Sequence, residues 1–88
     1  MMNTYTIDLA GARTLEQIHD RIAEGMHLPE WYGRNLDAFH DVLTEMNGRI
    51  FIRGSHEADD DLDVYLGRLR MVITDSQKEN PLLEIIFE

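Results

Sequence analysis

Residues Leu28 to Leu43 read LPEWYGRNLDAFHDVL, a proline-entered loop that runs into a helix. Pro29 disfavours helix at the residue before it, which places a boundary at His27-Leu28-Pro29. Glu30-Trp31-Tyr32-Gly33 is too short and too polar at its edges for a regular element and reads as a loop or a single helical turn. Asn35 is then an N-cap, its side chain able to satisfy a free N–H of the first turn. Beyond it Leu36, Phe39, Leu43 and Met46 recur at helical spacing, with Val42 alongside, and predict one buried stripe. The other side carries Asp37, His40 and Asp41. A helix needs one apolar face. It does not need two carboxylates and an imidazole near its start, and like charges four residues apart mildly destabilise it.

Working outward, the flanks alternate strands with helices. Tyr5-Thr6-Ile7-Asp8-Leu9 alternates apolar and polar and predicts a strand with one buried face. Thr14 with Gln17 is a capping-box pattern. Leu15, Ile18, Ile22 and Met26 follow as the apolar stripe of a helix that ends near Gly25. After the central helix, Asn47-Gly48 is a turn signal and Arg49-Ile50-Phe51-Ile52-Arg53 a short strand. Ser55 is placed to cap the next helix. From about Ala58, the residues Leu62, Tyr65, Leu66, Leu69, Val72 and Ile73 predict a helix running to about Lys78. Asn80-Pro81 ends it. Leu82–Phe87, largely apolar, predicts a last strand in the middle of its sheet. Strands separated by helices imply right-handed crossovers. The fold class expected is α/β, a small three-stranded parallel sheet packed by helices, in a single domain over residues 1–88.

Composition narrows the function classes. Hydrophobic residues make up 43% of the 88, enough for a folded globule rather than disorder. No apolar run reaches the length of about 18 residues that a membrane span needs. The start, MMNTYTIDLAGAR, lacks the basic and apolar blocks of a secretory signal. Cysteine is absent, which removes disulfides, thiolate metal sites and cysteine nucleophiles, and fits a cytoplasmic protein. Seventeen acids against eight Lys and Arg give a net charge of −9. Such a surface repels nucleic acid and anionic membrane, whose binding relies on cationic side chains, and attracts basic partners.

The obvious chemical motifs fail. Asp59-Asp60-Asp61-Leu62-Asp63 looks like a calcium loop, but such a loop needs glycine at its sixth position and an acid at its twelfth. This chain has Val64 and Arg70 there, so acids opening a helix and complementing its dipole explain the run better. His19, His27, His40 and His56 include no pair with metal-ligand spacing on one helix. His19, beside the stripe of the first helix, reads as a partly covered surface residue. Neither a nucleophile elbow nor a phosphate-cradling glycine loop is present. Asp37 and Asp41 could serve acid–base chemistry, but a chain this small has few residues left to line a deep pocket. Two readings of the opening stretch stand: a solvated helix face with two aromatics packed on the core, or a protein-binding patch. Aromatics favour interface centres, and carboxylates seek Arg or Lys on a partner.

The same stretch resembles the barstar family, intracellular inhibitors of barnase-type ribonucleases. The matching residues are Leu28-Pro29-Glu30-Trp31-Tyr32-Gly33, Asn35-Leu36-Asp37-Ala38 and Asp41. The rest of the chain agrees in element order. The resemblance implies three parallel strands packed by helices, no catalysis and no cofactor. It implies a partner as well: a basic, extracellular ribonuclease or a related toxin, held inactive in the producing cell by the loop and following helix. By position, Asp41 falls on the aspartate that stands in for a substrate phosphate, and Asp37 on a second contacting aspartate. Trp31 replaces a contacting tyrosine, while Gly33 and Asn35 keep the loop's shape and Asn35 also touches the partner. Aligned from the C-terminus, Asp75 falls on a peripheral contacting glutamate. His40 replaces a tryptophan near the interface. Gly54 to Asp63 has no clear counterpart, and the family's two cysteines are missing.

Overall fold

The computed structural model describes residues 3–88. The single-domain expectation for residues 1–88 also takes in Met1 and Met2, which lie outside the described residues. Three strands form one parallel sheet in the order β1-β2-β3: β1 (Asn3–Asp8), β2 (Gly48–Arg53) and β3 (Leu83–Phe87). Helices α1 (Leu15–Met26), α2 (Leu36–Glu45) and α3 (Asp63–Glu79) fill the crossovers. The fold class is the one the element order implies, α/β with a small parallel sheet.

Register explains the one-sided core. Tyr5 pairs with Ile50 and Ile50 with Ile85; Ile7 pairs with Ile52 and Ile52 with Phe87. Side chains alternate across a strand, so these rows share one face. There Ile7, Ile50, Ile52 and Leu83 meet Ile18, Ile22 and Met26 of α1, Phe39 and Leu43 of α2, and Leu66, Leu69 and Ile73 of α3. The alternate positions, Thr6, Phe51 and Ile86 in one row, occupy the opposite face. Arg49 pairs with Glu84 and Arg53 with Glu88 across β2 and β3.

Order β1-β2-β3 makes β2 the central strand and corrects the expectation that Leu82–Phe87 would be. The apolar run of β3 has a different cause. Leu83 and Ile85 face the helices, Ile86 sits beside Phe51 on the other face, and Phe87 is roofed by the Arg70 guanidinium 4.4 Å from its ring. Leu82 precedes the strand and is exposed.

Local signals set most boundaries. Thr14 Oγ1 accepts from Gln17 N at 3.1 Å, while Gln17 Oε1 accepts from Arg13 N at 2.7 Å, one residue earlier than in the usual capping box. At the other end of α1, His27 takes a left-handed conformation with φ 55°. Gly25 lies against β1: a Cβ there would stand 2.3 Å from the Thr6 carbonyl oxygen, so only glycine permits this approach. Two expectations fail between β2 and α3. The helix does not start near Ala58; two 3-10 turns, Ser55–Glu57 and Asp60–Leu62, come first. Nor does Ser55 cap anything: it is buried, and its Oγ accepts from Arg70 Nη2 at 3.1 Å. Asp59 is the residue that caps, accepting from Asp61 N at 3.0 Å. Asn80 closes α3 and also holds α2, donating from Nδ2 to the carbonyls of Leu43 (3.0 Å) and Met46 (2.6 Å).

Candidate functional site

The loop Pro29–Asn35 hangs between the left-handed end of α1 and the capped start of α2. Tyr32 N donates to the Pro29 carbonyl at 3.0 Å, closing a tight turn over Glu30 and Trp31. The two aromatics then part. Trp31 is 85% exposed, far too open to be a core residue. Tyr32 is buried and anchors the turn. Gly33 contributes through close approach, since a Cβ there would lie 3.0 Å from that of Ala38. Arg34 carries the backbone reversal, with φ 53°, and its guanidinium pairs with Asp20 of α1. Asn35 Oδ1 accepts from Ala38 N at 2.7 Å and its Nδ2 donates to the Gly33 carbonyl at 3.1 Å. One side chain thus caps the helix and fixes the loop before it.

Beneath Tyr32 lies a hydrogen-bonded trio that corrects the reading of His19 as a surface residue. His19 is 1% exposed. Its Nδ1 is 2.9 Å from Tyr32 Oη and its Nε2 bonds Tyr65 Oη of α3. A neutral imidazole has one donor and one acceptor nitrogen, so one phenol donates to the ring while the other accepts. Burial, helped by the positive charge of Arg34, holds the His19 pKa below the usual histidine value. Burial also pushes the Tyr32 phenol well up, with a smaller contribution from Tyr65, and burial raises Tyr65 itself. All three groups are therefore neutral near pH 7. Leu15, expected in the buried stripe of α1, is instead half exposed, and His19 takes the buried place.

Two grooves border the loop. One is lined by Trp31, Tyr32, Gly33, Ala38, Asp41 and Val42, with Glu45 at its end. The other takes in Asn35, Leu36, Asp37, Leu15 and Tyr65. Of the residues singled out in the sequence, Trp31, Gly33 and Asp41 are thus gathered on the first, and Asn35 and Asp37 on the second. The Asp41 side chain is 82% exposed. His40 Nε2 sits 3.1 Å from Glu79 of α3, and its Nδ1 is 4.0 Å from Asp41. Asp37, His40 and Asp41 are all open to solvent in part, with Asp37 bordering the second groove and Asp41 the first. Asp75 is exposed on α3, one turn before Glu79, and borders neither groove. Sequence reasoning did not single out Glu79, Tyr65 or Arg34. Only its place in the apolar helical spacing that starts at Leu62 marked Tyr65, and that as core.

Among the described residues no group of three or more His, Asp or Glu side chains is placed to hold a metal ion, and no helix is long and apolar enough to cross a membrane. The surface offers an exposed indole and carboxylates without buried partners, beside a loop tied down by the Tyr32 and Asn35 hydrogen bonds. Exposed aromatic rings of this kind are enriched at the centres of protein interfaces.

The family described as Barstar (barnase inhibitor) matches residues 2–86, and the chain belongs to that family. A Bacillus subtilis (strain 168) protein named "Putative ribonuclease inhibitor YrdF" is 40% identical over 43 residues, which are 49% of this chain and 47% of that protein. The match therefore spans about half the length of that relative.

Proposed function

We propose that this protein is a non-catalytic inhibitor of a basic, extracellular ribonuclease, acting in the cytoplasm of the cell that makes the enzyme. The loop Trp31–Asn35 and the first turns of α2 enter the active-site cleft. The observation that carries this reading is the pairing of an 85%-exposed Trp31 with the open carboxylate of Asp41 on one groove. An apolar anchor and a free anion side by side suit a cleft built to hold nucleotides. Asp41 takes the position of a substrate phosphate among the enzyme's Arg, Lys and His side chains and receives charge-assisted hydrogen bonds. Asp37 and Asn35 add contacts beside it, while Gly33 lets the loop lie close against α2. His40 and Asp75 lie at the margin, where His40 bridges toward Glu79. Net charge of −9 guides the encounter.

The test is titration of the purified protein into a barnase-type ribonuclease while RNA cleavage is followed. Stoichiometric inhibition is expected. Asp41→Ala is expected to weaken binding by about 1.5–3 kcal/mol, the range for a hydrogen bond to a charged group, mainly through faster dissociation. An Asp41→Ala dissociation rate equal to wild type would remove Asp41 from the site. Absence of inhibition by the wild-type protein would move the target to a different toxin. The reading would then become an immunity protein of the same fold, with Trp31 and His40 as the residues that changed its specificity.

A further inference from the structure

The second groove holds more than the contacts the ribonuclease reading uses. It is an open depression of about 480 Å³ between the first turn of α1, the start of α2 and Tyr65 of α3. Its floor is apolar. Leu15 occupies a position that the α1 stripe would bury, yet it is 47% exposed, and half-buried Leu36 and Tyr65 stand beside it. Its rim is acidic, with Glu16 from α1 and Asp37 from α2. The single cation at the rim, Arg34, is already engaged by Asp20. The groove is continuous with the loop through Asn35 and Asp37.

A hydrophobic trough with a negative rim fits one kind of occupant: a long side chain with an aliphatic stem and a cationic head. We propose that this groove is a second contact surface, receiving an arginine side chain of the same basic partner. Its stem lies on Leu15 and Leu36, its guanidinium plane faces the Tyr65 ring, and its N–H groups reach Glu16 and Asp37. Arginine fits better than lysine because its planar head stacks on an aromatic ring and presents several donors at once. The surface therefore extends the partner's footprint from the loop and α2 onto α1, and it discriminates among basic ribonucleases that share a catalytic cleft. The proposal rests on the ribonuclease reading.

The experiment measures the dissociation constant for a barnase-type ribonuclease with the wild-type protein and with Leu15→Ser, Glu16→Gln and Glu24→Gln. Glu24 is exposed on α1 and borders a different cavity, so it controls for net charge. Leu15→Ser and Glu16→Gln are each expected to weaken binding about fivefold or more, and Glu24→Gln less than about twofold. Thermal melting of each variant separates a folding defect from a binding loss, and Glu16→Gln tests the groove independently of Leu15→Ser. Arg→Ala changes on the ribonuclease, taken through double-mutant cycles with Glu16→Gln, identify the occupant. Wild-type inhibition with both groove variants binding normally would overturn the groove and leave the ribonuclease reading standing, as would coupling of Glu16 to none of the arginines. Absence of wild-type inhibition would overturn both.

Discussion

At the scale of single residues, the exposed surface separates binding from stability. Trp31 touches so little of its own molecule that Trp31→Ala should change folding free energy by no more than about 0.5 kcal/mol. If it anchors a partner, the same change should weaken binding by roughly 2 kcal/mol, about thirtyfold. Chemical denaturation and calorimetric titration on one preparation check both halves. A large loss of stability would mean that Trp31 packs on the core after all. Tyr32, its neighbour in sequence, is the reverse case: buried and bonded to His19. Two adjacent aromatics thus divide into an exposed ring and a foundation, a division that alternation along the loop could not reveal in advance because the turn over Glu30 and Trp31 has no fixed period.

At the scale of elements, the caps hold the pieces together. Asn80 serves two helices, ending α3 and donating to the last free carbonyls of α2. Asn80→Ala leaves those two carbonyls short of a partner in a buried setting and should cost about 2–3 kcal/mol, read as a lower denaturant midpoint with an unchanged slope. Much of this level was legible in the chain. Thr14 and Asn35 were readable as caps because a hydroxyl or amide beside a free N–H is a local signal, and the α2 stripe was readable because Phe39 and Leu43 repeat at helical spacing. The sheet order was not. Nothing in Leu83–Phe87 tells whether its apolar residues face helices on one side or two, and the Arg70 roof over Phe87 comes from a residue 17 positions away. His19 escaped for the same reason: its two hydrogen-bond partners lie on the loop and on α3, and a lone histidine in the sequence carries no mark of them. At the candidate site, Trp31, Asn35, Asp37 and Asp41 stood out by residue type, whereas Glu79 and the groove beside Leu15 depend on how the helices cross.

At the scale of the whole molecule, two bulk properties carry predictions. The first is the response to acid. The native His19 pKa is lowered by burial, so below about pH 6.5, the ordinary histidine value, the unfolded chain binds a proton that the native ring resists. The stability linked to His19 is therefore fully present above that pH and is lost as pH falls toward the native pKa. Denaturant midpoints at pH 7.5, 6.0 and 5.0 should fall in that order. His19→Gln should be less stable at pH 7.5 but show a shallower decline; an equal decline would place the sensitive group elsewhere. The second property is charge. With a net −9, association with a basic partner should slow about tenfold as salt rises from low to high ionic strength, while dissociation changes little. Stopped-flow rates decide it, and a flat association rate would mean that steering plays no part. The topology itself sets a clock. Every strand pairing closes over a helix: Asn3 meets Gly48, and Gly48 meets Leu83, so the sheet contains no hairpin from which it could begin. Such distant pairings form more slowly than local ones. A freshly made chain therefore passes through an interval in which the sheet that α2 packs on is still missing. If its partner is a lethal enzyme, supply must run ahead of demand: a cell is protected by the molecules it finished earlier, not by those it is still making.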